Sequence, residues 1–199
     1  IEELHATLPS NVRLVAVSKF HPVEAIREAY EAGQRIFGES RPQELKAKYE
    51  VLPRDIEWVM IGHLQTNKVK YIVGRVDLIQ SVGSLELLAE IEKAAARLDI
   101  VQDILLEINV GEEESKSGFA PEEALPILEQ ISEFHHIFVR GLMAIPPISH
   151  NSGDNRKFFQ KISQLSVDIR TKKYDNVSVD CLSMGMSDDF EDAVSCGST

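Results

Sequence analysis

Short, unbroken apolar runs alternate with longer amphipathic stretches along this chain. The runs cover residues 12–18, 35–38, 58–62, 78–82, 104–110, 137–144 and 177–184. Continuous apolar character, without strict alternation, marks strands covered by helices on one face and by a packed interior on the other. Between the runs lie helical stretches with clear punctuation. Pro22 suits a first helical turn and Gly33 a stop. Residues 41–52 and 66–73 follow as helices. Ser84 is placed to cap a helix over 85–98. Pro121, with Glu122 and Glu123 at the positive end of the dipole, opens the next. A polar stretch over 150–154 precedes a helix over 155–172. Asp188 and Glu191 have capping-box spacing for a last short helix.

The pattern predicts seven strand–helix units in strict order. Right-handed crossovers wind such units into one parallel sheet. With no linker, internal repeat or low-complexity block, residues 1–199 read as a single domain. The expected fold class is α/β, a TIM-type (β/α) barrel. A closed barrel of this type calls for an eighth strand, and the sequence reaches Gly197-Ser198-Thr199 without one. The last strand is therefore expected to be missing. An open barrel would expose two strand edges and invite weak dimerisation.

Composition narrows the partners. The net charge of -11 repels a nucleic-acid duplex or an anionic membrane surface. No apolar run approaches the roughly 20 residues of a membrane helix. Cys181 and Cys196 form no C-x-x-C pair, which fits reduced thiols in the cytoplasm. No His/Cys cluster, Walker-type loop, G-x-S-x-G elbow or G-x-G-x-x-G is present, so no metal site is expected.

In a barrel of this kind the chemistry sits at the C-terminal ends of the strands. Lys19 follows the apolar run at the end of the first strand. A lysine desolvated there has a lowered pKa and a nucleophilic amine, while a lysine that snorkels to the rim does no chemistry. The small residues Ser183 to Ser187 would let backbone N–H groups approach an anion, or would form a plain strand–helix turn. Ser40 and Glu39 end the second strand, Glu39 as an acid/base group or a rim carboxylate. His63 ends the third and reads as a structural hydrogen-bonder. The run Glu112–Glu114 with Lys116 reads as a solvated loop, and Met184 and Met186 as ring contacts or core filling.

Several motifs occur together in order. They are Val15-Ala16-Val17-Ser18-Lys19, Phe37-Gly38-Glu39-Ser40, Ile61-Gly62-His63-Leu64-Gln65 with Asn67-Lys68, Lys116-Ser117-Gly118, Arg140-Gly141-Leu142-Met143, and Leu182-Ser183-Met184-Gly185-Met186-Ser187-Asp188-Asp189. With them the chain resembles the pyridoxal-phosphate homeostasis proteins (the YggS family). The resemblance implies a barrel similar to the N-terminal domain of alanine racemase, with pyridoxal 5'-phosphate held as a Schiff base on Lys19. It implies Ser183 and backbone groups near Gly185 at the phosphate, and Ser40 and Met184 near the ring. It implies a carrier or regulator of vitamin B6 pools without established turnover, acting in the cytoplasm as a monomer or weak dimer. The alternatives are a weak pyridoxal-phosphate-dependent amino-acid racemase and a cofactor-free or engineered barrel scaffold. The chain departs from the family pattern at Ser40, where asparagine is usual, and at Val59, where histidine is usual. It also lacks a final strand bearing an arginine, a glycine and a threonine.

Overall fold

A computed structural model describes residues 2–112, 117–147 and 153–199. Seven strands form one sheet in chain order: β1 Ala16–Val17, β2 Ile36–Glu39, β3 Glu57–Met60, β4 Leu78–Val82, β5 Gln102–Glu107, β6 Ile137–Met143 and β7 Val177–Ser183. Every neighbouring pair is parallel. Their C-terminal ends therefore share one rim. The helices are α1 Glu2–Thr7, α2 Val23–Glu31, α3 Pro42–Val51, α4 Leu85–Leu98, α5 Ala124–Ile131, α6 Arg156–Arg170 and α7 Phe190–Ser195.

The core lies where helices cover the sheet. Phe37, Trp58, Ile104, Leu142 and Phe159 are all buried in one apolar cluster. The Phe37 and Trp58 rings meet at 6.0 Å. Ser84 caps α4 as its position predicts, accepting the Leu87 N–H at 3.2 Å.

Three expectations need correction. The first strand is only two residues long, because residues ahead of Ala16 have no ladder partner in β2. Arg13 instead meets Thr199, whose carbonyl accepts the Arg13 N–H at 2.6 Å, and the Leu14 carbonyl accepts from the Gln34 side chain at 2.8 Å. Thr199 also grips β7, donating its N–H to the Leu182 carbonyl at 3.1 Å and accepting the Leu182 N–H on Oγ1 at 2.8 Å. One residue thus bridges β7 to the segment entering β1. The stretch predicted as a helix over 66–73 is a tighter 3₁₀ segment, Thr66–Tyr71. The Asp188–Glu191 capping box does not form. The cap is Asp189, and its carboxylate is already engaged by the Met186 N–H at 2.7 Å and by Asn155.

Candidate functional site

Lys19, Ser40 and Ser183 stand just beyond or at the C-terminal ends of β1, β2 and β7, strands that share one rim. Lys19 stands two residues beyond the end of β1 and is exposed, with no hydrogen bond or ion pair among the described residues. Of the two readings of this residue, the exposure matches the rim lysine and not the desolvated amine, since the strand ends two residues earlier. Ser18, between β1 and Lys19, is buried and donates its hydroxyl to Glu39 Oε1 at 2.7 Å.

Glu39 is neither an acid/base group at the mouth nor a rim carboxylate. Its side chain is fully buried, and Lys48 of α3 meets its Oε1 at 2.6 Å. The Lys48 ammonium also donates to the Ser18 carbonyl at 2.8 Å and lies 3.6 Å from Glu44. Glu39 thus points toward the helices, away from the rim. Two lysines flank the same turn with opposite roles, Lys48 tied down and Lys19 without a partner.

Ser40, partly buried, sits against the end of the third strand. A Cβ on Gly62 would stand 2.6 Å from Ser40 Cα, so only glycine permits this approach. Across the sheet, Ser183 donates its hydroxyl to Gln80 Oε1 at 2.8 Å. β7 and β4 are not neighbours in the sheet, so this bond spans the barrel interior and fixes the facing of both side chains. Met184 is buried in the apolar cluster, so what it offers the rim is backbone. Gly185 takes φ +94 and packs on Ala193. The Gly185 N–H donates to no group among the described residues. Ser183 and Lys19 are not bonded to one another. Lys116, Glu113 and Glu114 lie outside the described residues, as do residues 150–152 of the polar stretch.

A second region of the rim forms a groove of about 540 Å³ lined by His63, Gln65, Asn67, Ser81, Glu107 and Ser117 among others. Burial pushes the Glu107 carboxyl above its usual value, against the opposing hydrogen bond from Ser117 and the attraction of His63. Lys48 is the polar residue that sequence reasoning missed, while Gln80 is placed by the sequence at the end of the fourth strand without a role. Gln80 reads as one more residue in a buried run. The nine-residue step from Glu39 to Lys48 matches no helical or strand period.

The donors at this rim fit a phosphate-bearing aldehyde. A primary amine is free to react, and a hydroxyl and an unspent backbone N–H stand at the end of β7. The Asp189 carboxylate is occupied by the Met186 N–H and Asn155.

In architecture this is the barrel of alanine racemases. The family model described as alanine racemase, N-terminal domain, matches residues 1–197. The alanine racemase of E. faecalis superposes with TM-score 0.64 at 14% identity, covering 91% of this chain and 48% of its own, a likeness of fold alone. Closer relatives are curated proteins. The pyridoxal phosphate homeostasis protein of Aquifex aeolicus is 46% identical over 188 residues, 94% of this chain and 82% of its own length. That of Haemophilus influenzae is 37% identical over 193 residues, 96% of this chain and 81% of its own. PipY of Synechococcus elongatus, solved without PLP, superposes with TM-score 0.93 at 36% identity, covering 99% of this chain and 92% of its own. The PipY structure with PLP bound gives TM-score 0.89 over the same shares. This chain belongs to the family of pyridoxal phosphate homeostasis proteins. Among the described residues no helix is long and apolar enough to cross a membrane.

Proposed function

We propose that this chain binds pyridoxal 5'-phosphate at the barrel rim, held as a Schiff base on Lys19, and serves cofactor homeostasis in the cytoplasm as a carrier. One observation carries the reading. Lys19 is an exposed, unpartnered amine at the C-terminal end of the first parallel strand, while Lys48, the neighbouring lysine, is buried and fully engaged. Family membership and the PLP-bound PipY structure support it. When bound, the cofactor supplies an aldehyde that condenses with a primary amine and releases water.

The chain's own residues divide the remaining work. Lys19 presents the amine. The Ser183 hydroxyl, now donated to Gln80, and the Gly185 N–H would hold the phosphate. Ser40, and the backbone at Met184, flank the ring. The binding unit is a single barrel domain, monomeric or weakly dimeric, with no nucleic-acid partner. Lys19 can move a proton on only one face of a bound amino acid, whereas racemisation needs an acid and a base on opposite faces.

Absorbance of the purified protein tests this directly. Added pyridoxal 5'-phosphate should raise a visible band in the wild type that is absent in Lys19→Ala. Lys19→Ala should melt as the wild type does, since the side chain is exposed and makes no hydrogen bond or ion pair among the described residues. A band of equal strength in Lys19→Ala would remove Lys19 from the site.

A further inference from the structure

We infer that α3 clamps the turn that carries Lys19, with Glu44 as a positioning residue and the Glu39–Lys48 pair beneath it. The inference rests on the cofactor reading above and deepens it.

Lys19 occupies the second position of a four-residue turn. The His21 N–H donates to the Ser18 carbonyl at 3.1 Å and closes it. At the third position Phe20 has φ +65. That is the pattern of a type II turn, which ordinarily places glycine or asparagine there. An aromatic residue in the left-handed region is strained and persists only where its surroundings hold it. Burial of the ring does not hold it, because Phe20 is 69% exposed. The ring's partner is the Arg41 guanidinium, 4.6 Å from its centroid, and Arg41 pairs in turn with Glu44.

The backbone is held from α3 on both sides of Lys19. Ahead of it, Ser18 is fixed through its hydroxyl by Glu39 and through its carbonyl by Lys48. Behind it, the Phe20 N–H donates to Glu44 Oε2 at 3.1 Å. Glu44 and Lys48 stand one helical turn apart on α3, so a single rigid element grips both ends of the turn. The lysine that must meet an aldehyde is thus the one residue of the turn with no tether of its own. Its neighbours are fixed so that its stem leaves the backbone in one direction, which is the pre-organisation that speeds a bimolecular condensation.

Two readouts test the clamp, one of them independent of cofactor. The first is hydrogen exchange at the Phe20 amide. The second is the rate at which pyridoxal 5'-phosphate labels Lys19, trapped with borohydride and located by peptide mass. Glu44→Ala should expose the amide and slow labelling on the order of tenfold, while thermal unfolding stays cooperative. Glu44→Gln keeps an acceptor oxygen for the amide and should restore both. A Glu44→Ala protein that exchanges faster yet labels Lys19 at the wild-type rate overturns the inference, as does a Phe20 amide that stays protected. Wild-type protein that takes no label sinks the cofactor reading instead, and the amide alone then decides whether the clamp exists.

Discussion

Two strands of this barrel end in a glutamate, and the two carboxylates live in opposite surroundings. β2 ends at Glu39, which turns into the helix layer and meets an ammonium, a hydroxyl and no solvent. β5 ends at Glu107, which lines the rim groove with one hydroxyl, Ser117 Oγ, at 2.9 Å. The residue type and strand position are the same, and the facing differs. In the first corner a cation from α3 compensates burial, so the charges are built into the frame that holds Lys19. In the second, desolvation dominates and raises the carboxyl above its usual value. A carboxylate at a strand end is thus structural or poised according to whether a helix behind the sheet sends it a counter-charge.

The largest way to break the first corner is Lys48→Met. Glu39 would keep only the Ser18 hydroxyl while fully buried, and it already has one oxygen, Oε2, without a partner. Removing one member of a buried pair leaves an uncompensated charge, so the loss should be about 3–5 kcal/mol in urea unfolding. Adding Glu39→Gln to that variant should recover a large part of it, because the stranded charge is gone. A loss from Lys48→Met well below about 1 kcal/mol would show that Glu39 is reached by water and that no clamp acts there.

A smaller effect should follow from Gly62→Ala. The new methyl group would meet Ser40 backbone atoms at 2.6 Å, and neither partner is the end of a flexible side chain. Overpacking of this kind costs about 1–3 kcal/mol. It should also displace Ser40 and weaken the visible band with pyridoxal 5'-phosphate more than Gly83→Ala does at the groove. Equal effects on the band from the two substitutions would argue that the cofactor touches both regions.

Much of the frame is legible in the sequence because it depends on local pattern. β4 and α4 fall where the apolar run over 78–82 and the Ser84 cap place them, and strand order follows from unit order. Lys19 is also legible as a strand-end lysine, but the choice between a desolvated and a rim side chain depends on where ladder pairing stops. The Lys48–Glu39 pair escapes notice because Lys48 sits in a helix whose sequence, Pro42-Gln43-Glu44-Leu45-Lys46-Ala47-Lys48, reads as an ordinary charged surface. Only the approach of α3 to β2 buries it. Phe20 escapes for a different reason. Its positive φ is imposed by a turn that the residue type disfavours, so propensity points the wrong way. The Asp188–Glu191 box looks right in spacing, but Asn155 and the Met186 N–H claim Asp189, and the cap shifts by one residue.

The finest separation of the two corners lies in their pH dependence. The Phe20 N–H, with Lys48 and Arg41 nearby, holds the Glu44 carboxyl below the usual range against partial burial. A depressed folded pKa gives stability that is present above the ordinary carboxylate value and is lost as pH falls through the depressed one. Glu107 runs the other way. Its raised pKa means that the folded state binds the proton more tightly than the unfolded chain. Its charge therefore costs no stability in acid. The cost sets in as pH rises through the ordinary carboxylate value and is complete above the raised one. Glu44→Gln should accordingly match the wild type in acid and fall below it toward neutrality. Glu107→Gln should match it in acid and rise above it toward neutrality, by the smaller margin, since the Ser117 bond is weakened in exchange. Urea midpoints measured for both variants across that range give two difference curves of opposite sign. Curves of the same sign would mean that the groove around Glu107 supplies a counter-charge as the α3 corner does, and the distinction between the regions would then fail.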